Sequence, residues 1–302
     1  MIFKMRNSLF LILLCLLAGS CGQGTKKEVN LMDSTDTDAS EKLSPISPDT
    51  QAMKKFTRVE IITDMGRLEV ALFDCTPKHR DNFIKLVKSG YYNGTLFHRI
   101  IADFMVQGGD PDSKGAPRNK PLGSGGPGYK IPAEITDTLY HYRGALAAAR
   151  EDDGVNPSRA SSGSQFYIVQ GSKWDKAKWV DVLKQSAFEL FQSNPENLSY
   201  QMRFESYQRK KDEAGMAQLR GEVEIEVGKI SDSMYNAIPG RVKQMYGTWG
   251  GSPFLDKNYT VFGFLVSGYD VLEKLNKVET LGDKAGNRPV ADVKIISARV
   301  MN

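Results

Sequence analysis

The run Phe97-His98-Arg99-Ile100-Ile101-Ala102-Asp103-Phe104-Met105-Val106-Gln107-Gly108-Gly109-Asp110 constrains this chain more than any other stretch. It sets one permanent cation, Arg99, among aromatic and aliphatic residues. A polar amide, Gln107, follows, and then a Gly-Gly pair. One reading is the wall of a site. The other is a buried strand that happens to carry an Arg and a Gln. Residue types alone leave both open.

The flanks suggest a β-rich fold around this run. Val59 and Ile61, then Leu68, Val70 and Leu72, alternate on either side of Asp64-Met65-Gly66. That pattern predicts an antiparallel hairpin with one buried face. Thr76-Pro77 reads as an N-cap followed by Pro at the first helical position. Phe83, Leu86 and Val87 continue at helical spacing, and Gly90 ends the helix. Cys75 reads as a small packing residue at a strand end. Beyond Asp110 the chain is rich in Gly and Pro as far as Tyr129, with no GK[ST]. A long ordered surface loop is expected there rather than a phosphate cradle. The small residues between Arg143 and Arg150 let a ligand approach the backbone, Ala149 included. Gly163 to Val169 reads as a strand with an aromatic pair.

The first residues read differently. Lys4 and Arg6 precede a short apolar run, Leu9 to Leu17. Leu17-Ala18-Gly19-Ser20-Cys21 resembles the lipobox of bacterial lipoproteins. The resemblance implies a removed signal over 1–20, acylation of Cys21 and a membrane lipid anchor. It places the protein in a bacterial cell envelope, facing the periplasm or the outer surface. An ordinary secretory signal with an incidental Cys is the alternative. Residues 21–56, rich in Ser, Thr, Asp, Lys and Pro, read as a disordered tether. With Cys21 lipidated and Cys15 in the signal, Cys75 has no partner, so no disulfide framework is expected. The net charge of +4 is spread along the chain with no basic stripe, which argues against nucleic acid as a partner.

Four motifs then occur in order: Phe97 to Ile101, Phe104 to Asp110, Gly126-Pro127-Gly128-Tyr129 and Gly163-Ser164-Gln165-Phe166-Tyr167-Ile168. Phe254-Leu255-Asp256 and Tyr259-Thr260-Val261-Phe262-Gly263 follow near the end. Together they resemble the cyclophilins, a family of peptidyl-prolyl cis-trans isomerases. The resemblance covers 57–170 and 252–301. It implies a mainly β fold, a closed eight-stranded antiparallel barrel capped by two helices, over 57–301. The second helix is expected from Tyr269 to Val278 and the last strand from Val293 to Val300. The stretch 172–252 is left as a mostly helical insert. Val180, Leu183, Ala187, Leu190 and Phe191 fall at helical spacing, Asn194-Pro195 breaks that helix, and Tyr200 to Arg220 favours another. Val223, Ile225 and Val227 alternate as in a strand. Pro239 to Tyr246 reads as a further helix. Trp174 and Trp179 read as local core.

Rotation about an X-Pro bond faces a barrier of about 18–20 kcal/mol, yet no bond is made or broken. Such an enzyme has only to favour the twisted amide. A fixed donor can hydrogen-bond the freed nitrogen lone pair while an apolar slot grips the ring. Arg99 suits the donor role. By resemblance Arg99 and Gln107 are catalytic, Gln107 matching the family's polar orienter, and Phe104, Met105 and Leu255 form the proline pocket. Ala149, Arg150, Tyr167, Phe254 and Tyr259 complete the substrate-binding set. Tyr167 stands where the family usually has Phe, and its added hydroxyl needs a partner. Phe254 replaces a Trp, Tyr259 a common His, and Arg150 a common Asn. His98 reads as structural. The only other histidines are His79 and His141, no ligand cluster is visible, and neither metal nor cofactor is expected. The expected function is isomerisation of proline-containing exported polypeptides by a monomer, assisting their folding. The alternative is a chaperone-like or partner-binding protein whose insert is the main functional surface.

Overall fold

A computed structural model describes residues 56–301, so the expected signal, Cys21 and nearly all of the expected tether lie outside the described residues. Phe56, expected as the last tether residue, packs edge-on against Phe73 and Phe264, with ring centroids 6.1 Å away in each case. The described residues form two compact units, one of 183–235 and one of 56–182 with 236–301.

The larger unit carries the sheet. Its strands are β1 (Thr57–Thr63), β2 (Gly66–Leu72), β3 (Arg99–Ile101), β4 (Met105–Gly108), β6 (Ala145–Ala148), β8 (Phe166–Val169), β9 (Val261–Ser267) and β10 (Ile295–Met301). They lie in the order β10-β1-β2-β9-β6-β8-β4-β3, and every pairing is antiparallel. β5 (Lys130–Ile131) and β7 (Ser161–Ser162) form a separate ribbon. The eight antiparallel strands are as expected; the closed barrel needs correcting. No ladder joins the edge strands β3 and β10. An isolated antiparallel bridge, Leu96 with Lys294, and a few bonds around it draw the edges together: Gly94 N–H to Ile295 O (2.8 Å), Ile295 N–H to Thr95 O (2.8 Å), Phe97 N–H to Val293 O (2.9 Å) and Ile100 N–H to Asn287 O (3.0 Å). β3 has only three residues, and beyond Asn287 the facing stretch turns to another partner, Pro289 bridging to Thr280. The sheet is therefore curled but open.

Inside the curl, Val59, Val70, Phe97, Leu146, Phe166 and Ile168 form the main core. Helices α1 (Pro77–Lys88) and α6 (Tyr269–Asn276) pack on the sheet, the first through Phe83, Leu86 and Val87, the second through Val271, Leu272 and Leu275. Thr76 is the N-cap residue of α1, but its side chain makes no cap bond. Glu134 does that work from a distant loop, accepting from Lys78 N–H at 3.1 Å and His79 N–H at 3.0 Å. His79 Nδ1 lies 2.7 Å from the same carboxylate, and its Nε2 lies 3.0 Å from Ser161 Oγ.

The first hairpin buries more than one face. Glu60 and Glu69 face each other across β1 and β2, and both are buried. Arg58, Arg67 and Arg299 neutralise them. Alternation marked these positions as solvent-facing because it does not see neutralising partners. Cys75 is exposed, since it follows the end of β2 in a turn rather than pointing into the sheet.

The insert is helical among the described residues: α2 (Lys176–Ser193), α3 (Leu198–Lys210), α4 (Glu213–Ala237) and α5 (Gly240–Thr248). Ser172 and Gly251 exchange two backbone bonds, at 3.3 and 3.0 Å, across its base. The strand-like alternation at 223–227 gives way to a helix. Leu219, Val223 and Val227 recur every fourth residue on one buried stripe, while Ile225 is 60% exposed on the other side. The unit of 183–235 has its own core, in which Ala187, Phe188, Phe191 and Phe204 meet that stripe. Leu190, expected on the buried face of α2, is instead 52% exposed. In the larger unit Trp174 and Trp179 are buried, 5.3 Å apart between ring centroids.

Candidate active site

Strand register assembles the site. The run from Phe97 to Asp110 contains a hairpin, β3 and β4, in which Arg99 pairs with Gln107 and Ile101 with Met105. On the next ladder Gln107 pairs with Tyr167, and Tyr167 then pairs with Ala147. Residues paired across strands share a face, and alternate residues of one strand share it too. Arg99, Gln107 and Tyr167 therefore stand in one row, with Met105 beside Gln107. Val106, Phe166 and Ile168 point the other way into the core. Met105, Ala147, Tyr167, Val169, Leu255 and Val261 form a second apolar cluster, flanked by Phe104 and Tyr259. That cluster floors the site.

A cavity of about 300 Å³ opens above this floor. Arg99, Phe104, Met105, Gln107, Ala149, Arg150, Tyr167, Leu255 and Tyr259 all line it. The structure thus brings together every expected site residue that it describes except Phe254. That ring is 47% exposed, with its centroid 5.3 Å from that of Phe104, so it stands at the rim rather than in the wall. It lies on the short turn Pro253–Leu255, which directs Leu255 inward and Phe254 outward. A larger cavity of about 500 Å³ lies elsewhere, lined by Phe73, Tyr142, Ala145, Met245 and Phe264 among others, and contains none of these residues.

Arg99 is half-buried and, among the described residues, has no carboxylate partner. Its Nη1–H donates to Gln107 Oε1 at 3.1 Å. Gln107 Nε2–H donates to Gln165 Oε1 at 3.0 Å, and Gln165 Nε2–H donates to Gly123 O at 2.9 Å and Gly125 O at 2.8 Å. The chain of amides fixes the guanidinium from one side and leaves its other donors free. Burial lowers the Arg99 pKa, but a guanidinium starts high enough to stay charged. His98 also lines the cavity but is nearly fully buried, and its ring nitrogens lack a well-aligned hydrogen-bond partner. Burial pushes the His98 pKa down to about 4.

Asp110 anchors the glycine-rich loop, accepting from Asp112 N–H at 2.8 Å and Gly123 N–H at 2.5 Å. A Cβ added at Gly125 would lie 2.1 Å from Asp110 Oδ1, so only glycine fits there. Arg150 serves the wall through its side chain: it lies over the Tyr259 ring at 4.6 Å, donates to Asn258 O at 2.8 Å and pairs with Asp153 at 2.6 Å. Among the described residues, the Arg150 N–H and C=O have no hydrogen-bond partner, which leaves them open to a peptide. Tyr167 O–H finds the partner it needs in His141 Nε2 at 3.1 Å.

Sequence reasoning gave no site role to Gln165, Asp110 or His141. Gln165 and Asp110 sat inside motifs that were read for their apolar neighbours. No local pattern connects His141 to Tyr167 or to Asp256. Among the described residues no group of three or more His, Cys, Asp or Glu could hold a metal ion.

The family model described as cyclophilin type peptidyl-prolyl cis-trans isomerase/CLD matches residues 58–188 and 202–300. A Streptococcus pyogenes protein named as a bifunctional phosphatase/peptidyl-prolyl cis-trans isomerase is 32% identical over 248 residues. The match covers 81% of this chain and 39% of that relative. A Staphylococcus epidermidis protein named as a peptidyl-prolyl cis-trans isomerase is 30% identical, over 80% of this chain and 91% of its own length. A solved cyclophilin-type isomerase from Cryptosporidium parvum aligns with 22% identity and a TM-score of 0.47, covering 82% of this chain and 99% of that one.

Proposed function

This chain belongs to the cyclophilin-type peptidyl-prolyl cis-trans isomerases, and on that footing we propose that its pocket catalyses X-Pro rotation in exported polypeptides and so assists their folding. One observation carries the catalytic part. A guanidinium that has no carboxylate partner among the described residues is clamped by Gln107 beside an apolar floor of Met105, Tyr167 and Leu255. The proline ring sits on that floor. Phe104 and Tyr259 close its sides, and the open N–H and C=O of Arg150 hold the preceding backbone. As the amide twists, its nitrogen becomes pyramidal and its lone pair turns outward. A free N–H of Arg99 then donates to that lone pair, a bond absent from both planar forms. Because Gln107 and Gln165 hold the guanidinium in advance, little reorganisation accompanies the step.

A protease-coupled assay on proline-containing peptides, with the full chain, tests this. Arg99→Ala is expected to lower kcat/KM at least about tenfold, the equivalent of about 1.4 kcal/mol. Unchanged turnover in that variant sinks the mechanism.

Export and anchoring rest on the n-region, the short apolar run and Leu17-Ala18-Gly19-Ser20-Cys21. The acylated chain is held in the cell envelope, facing the periplasm or the outer surface. Cys21→Ala is expected to release the protein from the membrane fraction; unchanged fractionation counts against the anchor.

A second reading gives the insert a chaperone-like or partner-binding role. In the unit of 183–235, Leu190, Leu198, Met202 and Ile225 are each more than half exposed, and Leu198 and Met202 stand one turn apart on α3. Changing Leu198 and Met202 to Ser is expected to spare peptide turnover and weaken suppression of client aggregation. Undiminished suppression removes the support for this reading.

A further inference from the structure

We propose that a buried relay, Tyr246–Asp256–His141–Tyr167, ties helix α5 of the insert to the floor of the proline pocket, making Tyr246, Asp256 and His141 positioning residues for isomerisation. The proposal rests on the isomerase reading above and adds to it a set of residues outside the pocket.

The geometry runs without a gap. Tyr246, on α5, is fully buried, and its O–H donates to Asp256 Oδ2 at 2.7 Å. The other carboxylate oxygen, Asp256 Oδ1, accepts from His141 N–H at 2.8 Å and lies 3.0 Å from His141 Nδ1. A carboxylate at Nδ1 places the ring proton there and leaves Nε2 as an acceptor. Tyr167 O–H donates to that nitrogen at 3.1 Å. Every donor along the line therefore has one acceptor. His141 also stacks on Tyr167, with an interplanar angle of 14° and centroids 6.1 Å apart.

Two consequences reach the substrate. A Tyr in the floor carries a buried hydroxyl, and leaving it without a partner there is costly. The relay removes that cost in a single ring orientation and so restrains the face that meets the proline. Asp256 also directly follows Leu255, so the carboxylate that orients His141 anchors the turn presenting the pocket wall. Ser252 N–H to His141 O, at 2.8 Å, ties the same two segments a second time. The insert helix thus fixes both floor and wall without touching substrate.

Tyr246→Phe removes one hydroxyl and keeps the ring packing against Tyr142 (4.6 Å) and Trp179 (5.5 Å). On the full chain it is expected to lower kcat/KM by about two- to tenfold, the range of one net hydrogen bond. In a Tyr167→Phe background, where the relay has lost its far end, the same change is expected to leave kcat/KM where Tyr167→Phe alone puts it. A merely structural Tyr246 would lower both backgrounds by the same factor, and that result overturns the proposal, as does wild-type kinetics in Tyr246→Phe. A second readout does not need turnover: the ring-flip rate of Tyr167 by aromatic carbon NMR. It is expected to rise in Tyr246→Phe while that of Tyr92, a core tyrosine bonded to Ser164 O, stays unchanged. Equal changes at both rings, or none at Tyr167, refute the relay. If the wild type shows no turnover, the isomerase reading fails and the ring flips alone decide the relay.

Discussion

His98 makes stability depend on pH in a direction and by an amount that can be worked out. The residue is 3% exposed, next to Arg99, with Arg288 also near, and only the Asp110 carboxylate and the Leu96 backbone favour its proton. Burial outweighs both and sets the folded pKa at about 4, against 6.5 for a free imidazole. Between those values the unfolded chain binds a proton that the folded one refuses. The stability is therefore whole above about pH 6.5 and falls as the pH drops toward 4, by at most about 1.4 kcal/mol per pH unit. Between about pH 7 and pH 4.5 the His98 share of the loss is about 2 kcal/mol. Urea unfolding followed by tryptophan fluorescence reads it, because Trp174, Trp179 and Trp249 all lie in the unit that holds His98. Carboxylates also titrate in this range, and burial lowers the His79 pKa as well. The measurement is therefore the difference between wild type and His98→Gln. Wild type is expected to lose about 2 kcal/mol more than the variant over that interval. Equal losses would mean that the folded ring takes up its proton as freely as an exposed one, and the burial argument would be wrong.

Two further outcomes follow from packing. Gly125→Ala forces a methyl against Asp110 and shifts the loop that holds Gln165, so it is expected to cost about 1–3 kcal/mol and to lower kcat/KM together with stability. Gly126→Ala, with open space around it, is expected to match wild type in both thermal unfolding and turnover. In the helical unit, Val223→Asp buries a charge and is expected to abolish the cooperative unfolding of 183–235 in hydrogen exchange, whereas Ile225→Asp is expected to be within about 0.5 kcal/mol of wild type; equal effects would return 223–227 to the strand reading.

Much of the site was legible before the fold was known. Arg99 and Gln107 announce themselves as polar residues inside an apolar run, and the motif order carried Phe104, Met105, Tyr167 and Leu255 into one pocket. Phe254 and Leu255 are adjacent, so residue type could not tell rim from wall; the short turn at 253–255 decides it. Alternation failed at Glu60, Glu69 and Ile225 for a common reason. It records which side chains are apolar and does not see a partner arginine or a helical stripe that includes Leu219.

By itself the sequence determined the family, the first hairpin around Asp64-Met65-Gly66, and the apolar character of the slot, because these depend on short-range pattern and on residue chemistry. The tertiary structure alone decided that the sheet stays open between β3 and β10, that Glu134 caps α1, and that Tyr167 hangs from His141, Asp256 and Tyr246. The cap and the relay depend on groups apart along the chain meeting within about 3 Å, and hydrogen bonds, unlike hydrophobic periodicity, leave no repeat in the sequence to announce them.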